Sequence, residues 1–271
     1  MKKLTIITIC YNEPNLEKTC ESIVNQTWQD FEWIVVDGGS NKETQKIWDK
    51  YKYRIDKFIS EPDDGRYNAM NKGIRIANGR YLNFLNAGDY YFYNDALKDV
   101  FYNNTFDEDI LYANECFING TNILDSHIQP MPKNLTKEFL FYSTIRHQAS
   151  FIRRELFDKY GLYNEKYKVV SDYEKWFIFL ENNVCFRYLP YTVTYFNTFG
   201  ISCNKRTIKI ALDERNSVIN KFFTNEEIKR FNKSINYSFI EKLFSIKNNL
   251  NKSHKIITIL GIHIKIKRGN K

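Results

Sequence analysis

The chain has 271 residues, of which 43% are hydrophobic and 27% are charged, and this composition excludes the disordered and fibrous classes. Its length allows one or two domains whose core needs no disulfide or structural metal. The formal net charge is +8. Residues 205–271 hold 16 basic and 5 acidic residues (+11), which leaves 24 basic and 27 acidic residues (−3) in residues 1–204. A slightly acidic body therefore carries a basic extension, a pattern typical of proteins that meet nucleic acid or anionic membranes.

The cysteines and the N-terminal segment indicate a cytoplasmic protein. The number of cysteines is odd and no two form a C-x-x-C pair, which argues against a disulfide framework and a Cys-type zinc site; they are Cys10, Cys20, Cys116, Cys185 and Cys203. The apolar run Leu4–Cys10 is followed by polar residues without a small-residue cleavage site, so we interpret it as a strand and not as a signal peptide. No apolar run approaches the length of a transmembrane helix.

Strand and helix signals alternate through the first hundred residues. Apolar, β-branched runs predict four strands, at residues 4–10, 31–36, 57–60 and 80–85. Amphipathic segments between and after them predict four helices, at residues 15–26, 42–51, 67–77 and 94–102. This alternation is typical of βαβ units, and it predicts an α/β fold with a mostly parallel sheet flanked by helices.

The remainder of the chain is less regular. It contains a predicted strand, two helices and another strand, at residues 112–118, 154–160, 172–181 and 185–189. Trp176 falls at helical spacing from Phe179, which predicts a core residue. The extension looks helical and amphipathic over residues 205–250. Residues 255–268 mix isoleucines with Lys and Arg, which fits either a last strand or hairpin packed on the body or an anchor on an anionic membrane surface.

Acidic, glycine-containing turns end three of the four predicted strands. They are Asp37-Gly38-Gly39, Asp63-Asp64-Gly65 and Gly88-Asp89. Ordinary turn chemistry explains one such turn, but three at the carboxyl edge of one parallel sheet favour a shared site. There is no G-x-G-x-x-G after the first strand and no Walker-type phosphate motif. Carboxylates can accept hydrogen bonds from a base and a ribose, and can hold a divalent cation that neutralises a diphosphate.

Longer motifs in the same region resemble those of family 2 glycosyltransferases. The resemblance rests on residues 5–12, 22–27, 31–40, 61–74 and 84–89, and the last two stretches resemble the bacterial polysaccharide branch. It extends over residues 3–200. It implies an inverting enzyme with the Rossmann-like GT-A fold over residues 1–204. Residues 1–110 would bind the nucleotide-sugar and residues 111–204 the acceptor, and residues 205–271 would form the basic extension.

The resemblance also implies roles for individual residues. Asp172 corresponds to the usual catalytic base, although an Asp before a helix also serves as an N-cap, and nearby Glu174 is a competing carboxylate. Asp89 corresponds to the last Asp of the D-x-D metal motif, which implies Mn²⁺ or Mg²⁺ as cofactor. Donor-binding roles fall to Thr8, Tyr11, Glu13, Asp37, Asp64, Arg66, Lys72 and His147. Of these, Arg66 either contacts phosphate or faces solvent, and His147 is either structural or a phosphate or metal partner. Gly200-Ile201-Ser202 resembles a flexible loop that covers the donor.

Three departures from the family pattern bear on the chemistry. The first D-x-D position is Asn86 or Ala87, so a single carboxylate would hold the metal and metal affinity would be weak. Gly38 stands where many members have a second Asp. Arg66 and Asn68 flank Tyr67 in place of the expected Ile and Asp.

These observations favour a hexosyl- or N-acetylhexosaminyl-transferase. We expect transfer from a UDP-sugar to a saccharide acceptor, lipid-linked by analogy with polysaccharide assembly, in the cytoplasm or on the inner face of the membrane. One alternative is a catalytically silent module that binds a nucleotide or carbohydrate. A nucleic-acid-binding protein is a third hypothesis, but no nucleic-acid motif accompanies the basic extension and the body is slightly acidic, so we expect no nucleic-acid partner.

Overall fold

The computed structural model describes residues 2–119, 122–197 and 205–233, together with three strands beyond them. The strands are β1 Leu4–Cys10, β2 Phe31–Asp37, β3 Lys57–Ser60, β4 Tyr81–Phe84, β5 Tyr90–Tyr91, β6 Ile110–Asn119, β7 Asn122–Gln129, β8 Ser150–Arg153, β9 Phe186–Asn197, β10 Ser245–Asn248, β11 His254–Ile259 and β12 Ile262–Lys267. The α-helices are α1 Leu16–Val24, α2 Lys42–Tyr51, α3 Arg66–Ile76, α4 Ala96–Phe101, α5 Lys137–Tyr142, α6 Glu155–Tyr160, α7 Ser171–Glu181 and α8 Lys205–Phe222. A 3₁₀ helix spans His147–Ala149, and a further helix spans residues 225–233.

The first half of the chain forms the parallel sheet that its alternating pattern predicts. The strand order is β3-β2-β1-β4, with every neighbouring pair parallel. Both β1 and β2 are buried along their whole length, which explains why their sequences are apolar on both faces. The register pairs Cys10 with Asp37. The loops that follow these strands therefore emerge at one edge of the sheet.

The second half extends the sheet with mixed strand directions. Strand β8 runs antiparallel to β4, and β6 lies between β8 and β9, antiparallel to the first and parallel to the second. The short β5 pairs with β9, and β7 pairs with β6. The prediction of an α/β sheet flanked by helices is confirmed. Strands β5, β7 and β8 were not predicted from the sequence, and a strand as short as β5 leaves no periodic signal.

The extension is only partly helical. Helix α8 and the helix at residues 225–233 agree with the helix predicted over residues 205–250, but residues Ser245–Asn248 form strand β10, so that prediction is wrong there. Strands β10, β11 and β12 form a separate antiparallel sheet, with β11 and β12 paired from His254–Lys267 to Ile259–Ile262. The predicted loop at residues 200–202 lies outside the described residues.

Helix α8 packs on the body although it follows the expected boundary at residue 204. The Lys221 ammonium lies 2.9 Å from the Glu174 carboxylate of α7. The Arg215 guanidinium lies 4.2 Å from the centre of the Tyr173 ring, and Val218 is fully buried. Trp176 is fully buried in the adjoining core, as predicted. Within the described part of the chain, no helix combines the length and apolar character needed to cross a bilayer.

Candidate active site

A cleft of about 1020 Å³ opens at the carboxyl edge of the parallel strands. Its walls come from the loops after β1, β3 and β4, the first turn of α3, the 3₁₀ helix and the loop that leads into α7. Open α/β sheets bind ligands at this edge because the loops after their strands converge there. The three acidic turns identified in the sequence therefore lie near one another: those at residues 63–65 and 88–89 line the cleft, and the first contributes Gly38 to its lining.

Asp172 lines the cleft at the start of α7, and both oxygens of its carboxylate are hydrogen-bonded. Its Oδ1 lies 2.8 Å from the Tyr67 hydroxyl, and its Oδ2 lies 2.9 Å from Nδ1 of His147. Burial alone would raise the pKa of Asp172, but the hydrogen bonds from His147 and Tyr67 outweigh it and hold that pKa below its usual value. Asp172 is therefore ionised at neutral pH.

The sequence left two other interpretations open, Asp172 as a helix N-cap and Glu174 as the base, and neither fits the geometry. The N-cap of α7 is Val170, so the N-cap interpretation of Asp172 is wrong. Glu174 is only 4% exposed and does not line the cleft. Its carboxylate pairs with Lys221 at 2.9 Å and accepts a hydrogen bond from Asn164 at 3.5 Å. Glu174 thus fastens α8 to α7 and is removed from any reacting group.

His147 connects Asp172 to the loop after β4. Its Nε2 lies 3.0 Å from Nδ2 of Asn86, and both residues line the cleft. With the Asn86 amide donating to Nε2, the imidazole carries its proton on Nδ1 and donates it to Asp172. From the sequence, His147 could have a structural role or a role in the site; in the structure it lines the cleft.

Asp89 lies in the turn after β4 and contacts Gln148, the residue that follows His147. It is 7% exposed and lines the cleft, and its Oδ2 accepts a 2.9 Å hydrogen bond from Nε2 of Gln148. Gly88 before it has a φ of +97°, and a Cβ there would lie 3.2 Å from the Glu13 carboxyl carbon. Glycine therefore permits the positive φ of this turn and its close approach to Glu13.

The oxygen atoms around Asp89 fit a divalent cation. Two neighbouring carboxamide oxygens, Oδ1 of Asn86 and Oε1 of Gln148, are buried without a hydrogen-bond partner among the described residues. Such unpaired oxygens are costly, and Mg²⁺ and Mn²⁺ prefer oxygen ligands. No cluster of three His, Cys, Asp or Glu side chains suited to a metal occurs among the described residues. A cation at this place would thus depend on one carboxylate, assisted by neutral oxygens.

A buried carboxyl group lies behind this turn, next to an arginine. Glu115 of β6 is fully buried, and its Oε2 lies 3.7 Å from Nε of Arg146, which lines the cleft. Burial raises the pKa of Glu115 to about 8, although Arg146 opposes the rise. The Arg146 guanidinium also lies 5.4 Å from the ring centres of both Phe117 and Phe196. Arg146 was not predicted as a site residue. The available signal in the sequence was its position directly before His147.

Five of the eight expected donor-binding residues line the cleft: Tyr11, Glu13, Asp64, Arg66 and His147. Tyr11 is 62% exposed, so its ring is available for stacking. Asp63 also lines the cleft, although it was not singled out from the sequence. A Cβ on Gly38 would lie 3.0 Å from Oδ2 of Asp63, which explains why glycine occupies the position where a second Asp was expected.

The other three expected donor contacts lie outside the cleft lining, because each is engaged inside the fold. Asp37 is fully buried and accepts hydrogen bonds from the backbone and side chains of the loop after β2, α2 and β3: from Ser40 N, Gln45 Nε2, Trp48 Nε1 and Ser60 Oγ. The Thr8 hydroxyl accepts from the Trp33 indole at 3.0 Å. Lys72 pairs with Asp63 at 2.6 Å. We therefore assign them to shaping the loops of the cleft and not to donor contact.

Comparison with known proteins gives a consistent family. Residues 5–161 match the family described as "Glycosyl transferase family 2". A "PGL/p-HBAD biosynthesis glycosyltransferase" of Mycobacterium bovis is 33% identical over 192 residues, which cover 66% of this chain and 70% of the relative. An uncharacterized glycosyltransferase of Methanocaldococcus jannaschii is 28% identical over 193 residues, covering 68% of this chain and 66% of that protein.

Solved structures show the same fold at lower identity. Residues 1–349 of S. aureus TarS, in complex with UDP-GlcNAc, superpose with a TM-score of 0.62 at 19% identity, covering 84% of this chain and 69% of that one. Against a longer TarS chain the match spans 43% of its length. The mannosyltransferase PcManGT of Pyrobaculum calidifontis, in complex with GDP-Man and Mn²⁺, gives a TM-score of 0.56 at 17% identity, and the match covers 79% of this chain and 61% of that one. The architecture is that of the GT-A glycosyltransferases.

Proposed function

Because the chain belongs to glycosyl transferase family 2, we propose that this glycosyltransferase transfers a sugar from a nucleoside-diphosphate donor to a saccharide hydroxyl, with inversion at the anomeric carbon. The observation that carries the proposal is a cleft in which two of the lining acids lie in different environments. Asp172 is held ionised by His147 and Tyr67, and Asp89 lies among unpaired amide oxygens. The first can accept a proton, and the second can hold a cation.

The proposed reaction is one in-line displacement. Asp172 accepts the proton of the acceptor hydroxyl as its oxygen attacks the anomeric carbon, and the nucleoside diphosphate leaves from the opposite face. His147 and Tyr67 orient the carboxylate for this step, at the cost of some basicity. Asp89 would hold the cation, Mn²⁺ or Mg²⁺, which when bound offsets the charge of the diphosphate.

Two arginines of the cleft suit the leaving group. Arg66 begins α3, and Arg146 precedes the 3₁₀ helix on the side of Asp89. A guanidinium can bind phosphate oxygens through two parallel hydrogen bonds. We assign these cations to the diphosphate, where their charge supplements a metal held by one carboxylate. The exposed Tyr11 ring, with Glu13 and Asp64, is assigned to the nucleoside.

The proposed donor is a UDP-sugar and the proposed acceptor a lipid-linked saccharide in bacterial surface polysaccharide assembly. Complexes of TarS with UDP and with UDP-GlcNAc support the nucleotide. The +11 charge of residues 205–271 supports an acceptor at an anionic membrane, on its cytoplasmic face. The protein would then be peripheral, attached through residues 251–271. Deletion of these residues should move the protein from vesicle-bound to unbound fractions, and unchanged partition would contradict the attachment.

A catalytically silent binding module is the second candidate, because Asn86 or Ala87 stands in place of a D-x-D carboxylate. A panel of nucleotide-sugars, screened with and without Mn²⁺ by thermal shift and by release of the nucleotide, separates the two. A donor that raises the melting temperature and is turned over supports the transferase. A donor that binds but yields no nucleotide with any saccharide acceptor or with water supports the module.

A further inference from the structure

We propose that Glu214 of α8 is a positioning residue for Asp172, so that the basic extension contributes to the geometry of the reacting site. This inference rests on the proposed function of Asp172. Glu214 accepts hydrogen bonds from three consecutive backbone amides: Oε1 from Lys168 at 2.7 Å, and Oε2 from Val169 at 2.9 Å and from Val170 at 3.3 Å. These amides end two residues before Asp172.

The segment that Glu214 holds is also part of the cleft wall. Lys168 and Val169 line the cleft together with Asp172. The carbonyl oxygen of Val169 lies 2.6 Å from the Tyr67 hydroxyl, the same hydroxyl that lies 2.8 Å from Oδ1 of Asp172. The backbone before α7 is thus fixed by Tyr67 on one side and by Glu214 on the other.

Helix α7 lacks a cap from its own sequence. Its N-cap, Val170, has no side chain that can accept a hydrogen bond from the first turn. The Glu214 carboxylate does not replace this cap, because it binds the amides of residues 168–170 and not those of the first turn, but it holds the backbone that leads into α7 and places a negative charge near the positive end of the helix dipole. Charge-assisted bonds of this kind are stronger than neutral ones. Without them, the chain before Asp172 has fewer restraints.

Helix α8 is a rigid support for this contact. Arg215 donates to the carbonyl oxygens of Leu140 and Phe141, at 3.0 Å each, and its guanidinium covers the Tyr173 ring. One turn and a half later, Lys221 pairs with Glu174. Tyr173 and Glu174 directly follow Asp172 in α7. Neighbouring side chains of α8 therefore bind the backbone before Asp172 and the side chains after it, which fixes the carboxylate relative to the cleft.

The test compares Glu214→Ala and Glu214→Gln with a matched control, Asp213→Asn. Asp213 is the exposed neighbour on the same helix and makes none of the three hydrogen bonds to residues 168–170, so the control removes a similar charge and keeps those bonds. We expect kcat of E214A to fall by about 10- to 100-fold, the range that a small misplacement of a reacting group produces. E214Q, which keeps one acceptor oxygen, should be intermediate. The affinity for UDP, which serves as the probe of donor binding, should be unchanged in all three variants. The kcat of D213N should also be unchanged.

A readout that does not need turnover is the imidazole ¹⁵N signal of His147. Because Nδ1 of His147 contacts Asp172, we expect this signal to move in E214A and to stay in place in D213N. In the active enzyme, the acidic limb of the kcat/KM profile should move to higher pH in E214A. The pKa of Asp172 should rise there, because its contacts with His147 and Tyr67 become weaker. The titratable and charged groups around that carboxylate are His147, Tyr67, Tyr163 and Arg66.

The outcomes separate this inference from the proposed function. Unchanged kcat and an unchanged His147 signal in E214A, at temperatures well below its melting transition, would overturn the positioning role. A parallel loss of UDP affinity, folded fraction and kcat would also overturn it, because Glu214 would then only stabilise the fold. If the wild-type protein turns over no donor, the proposed function fails, and the His147 signal alone decides whether Glu214 positions Asp172.

Discussion

The carboxylate of Asp172 and the imidazole of His147 are joined by a 2.9 Å hydrogen bond that links α7 to the sheet edge. Through Nε2, the same imidazole contacts Asn86 in the loop after β4. The proposed base and the proposed cation site are therefore connected by one side chain. This arrangement keeps Asp172 ionised in a largely buried position, where an isolated carboxyl group would become protonated.

Replacing His147 by Gln should change the pH dependence of the reaction. His147 lowers the pKa of Asp172, and the base acts only when ionised, so the wild-type enzyme should stay active at acidic pH. Without the imidazole the pKa of Asp172 rises, and the acidic limb of kcat/KM should move to higher pH. His127→Gln is the control, because His127 stacks on Phe117 and does not line the cleft. An acidic limb at the same pH in both variants would contradict this role.

Removing the Asp89 carboxylate should weaken cation binding. Asp89→Asn leaves only neutral oxygens at the proposed site, and hard divalent cations bind such sets poorly. We expect Mn²⁺ binding in the presence of UDP, followed by electron paramagnetic resonance, to fall by at least about tenfold, which corresponds to roughly 1.4 kcal/mol. Asp158→Asn, at an exposed position of α6, should bind Mn²⁺ like the wild type. Equal affinity in the two variants would place the cation elsewhere.

Glu115 should make folding stability depend on pH. Its pKa is raised from 4.5 to about 8 by burial, so the folded state binds a proton that the unfolded state has lost in this interval. Stability should therefore fall as pH rises from about 5 to 8, by up to about 1.4 kcal/mol per pH unit. Glu115→Gln should flatten this slope in urea titrations. Glu17→Gln, at an exposed ion pair, should keep it, and an equal slope in E115Q would show that Glu115 is ionised in the fold.

A carboxylate at position 38 should be incompatible with Asp63. A Cβ at Gly38 would already lie 3.0 Å from Oδ2 of Asp63, and a second negative charge would add repulsion. We expect Gly38→Asp to destabilise the fold by about 1–3 kcal/mol, as overpacking does, and to weaken UDP binding. The double variant G38D/D63A should recover much of both losses. Failure of the second substitution to restore either property would show that the two positions are independent.

Features that depend on residues close together in the sequence could be predicted, whereas features that depend on residues far apart in the sequence could not. The apolar runs of β1 and β2 and the family motifs around Asp89 and Asp172 are local, and they predicted the sheet and the acids of the cleft. The family resemblance implied a donor-binding role for Asp37, and its Asp-Gly turn does not indicate whether the carboxylate points outward or into the fold. Glu214 lies 44 to 46 residues from the amides it binds, and no local sequence pattern indicates such a contact.

The most direct test of the account is the turnover of Asp172→Asn, measured together with its affinity for the donor. Asn keeps the size of the side chain but cannot accept a proton from the acceptor. We predict that kcat falls by 100-fold or more, within the range of about 10²–10⁴ attributed to general bases, while donor affinity stays close to that of the wild type. Near-normal turnover in this variant would contradict the assignment of Asp172 as the base.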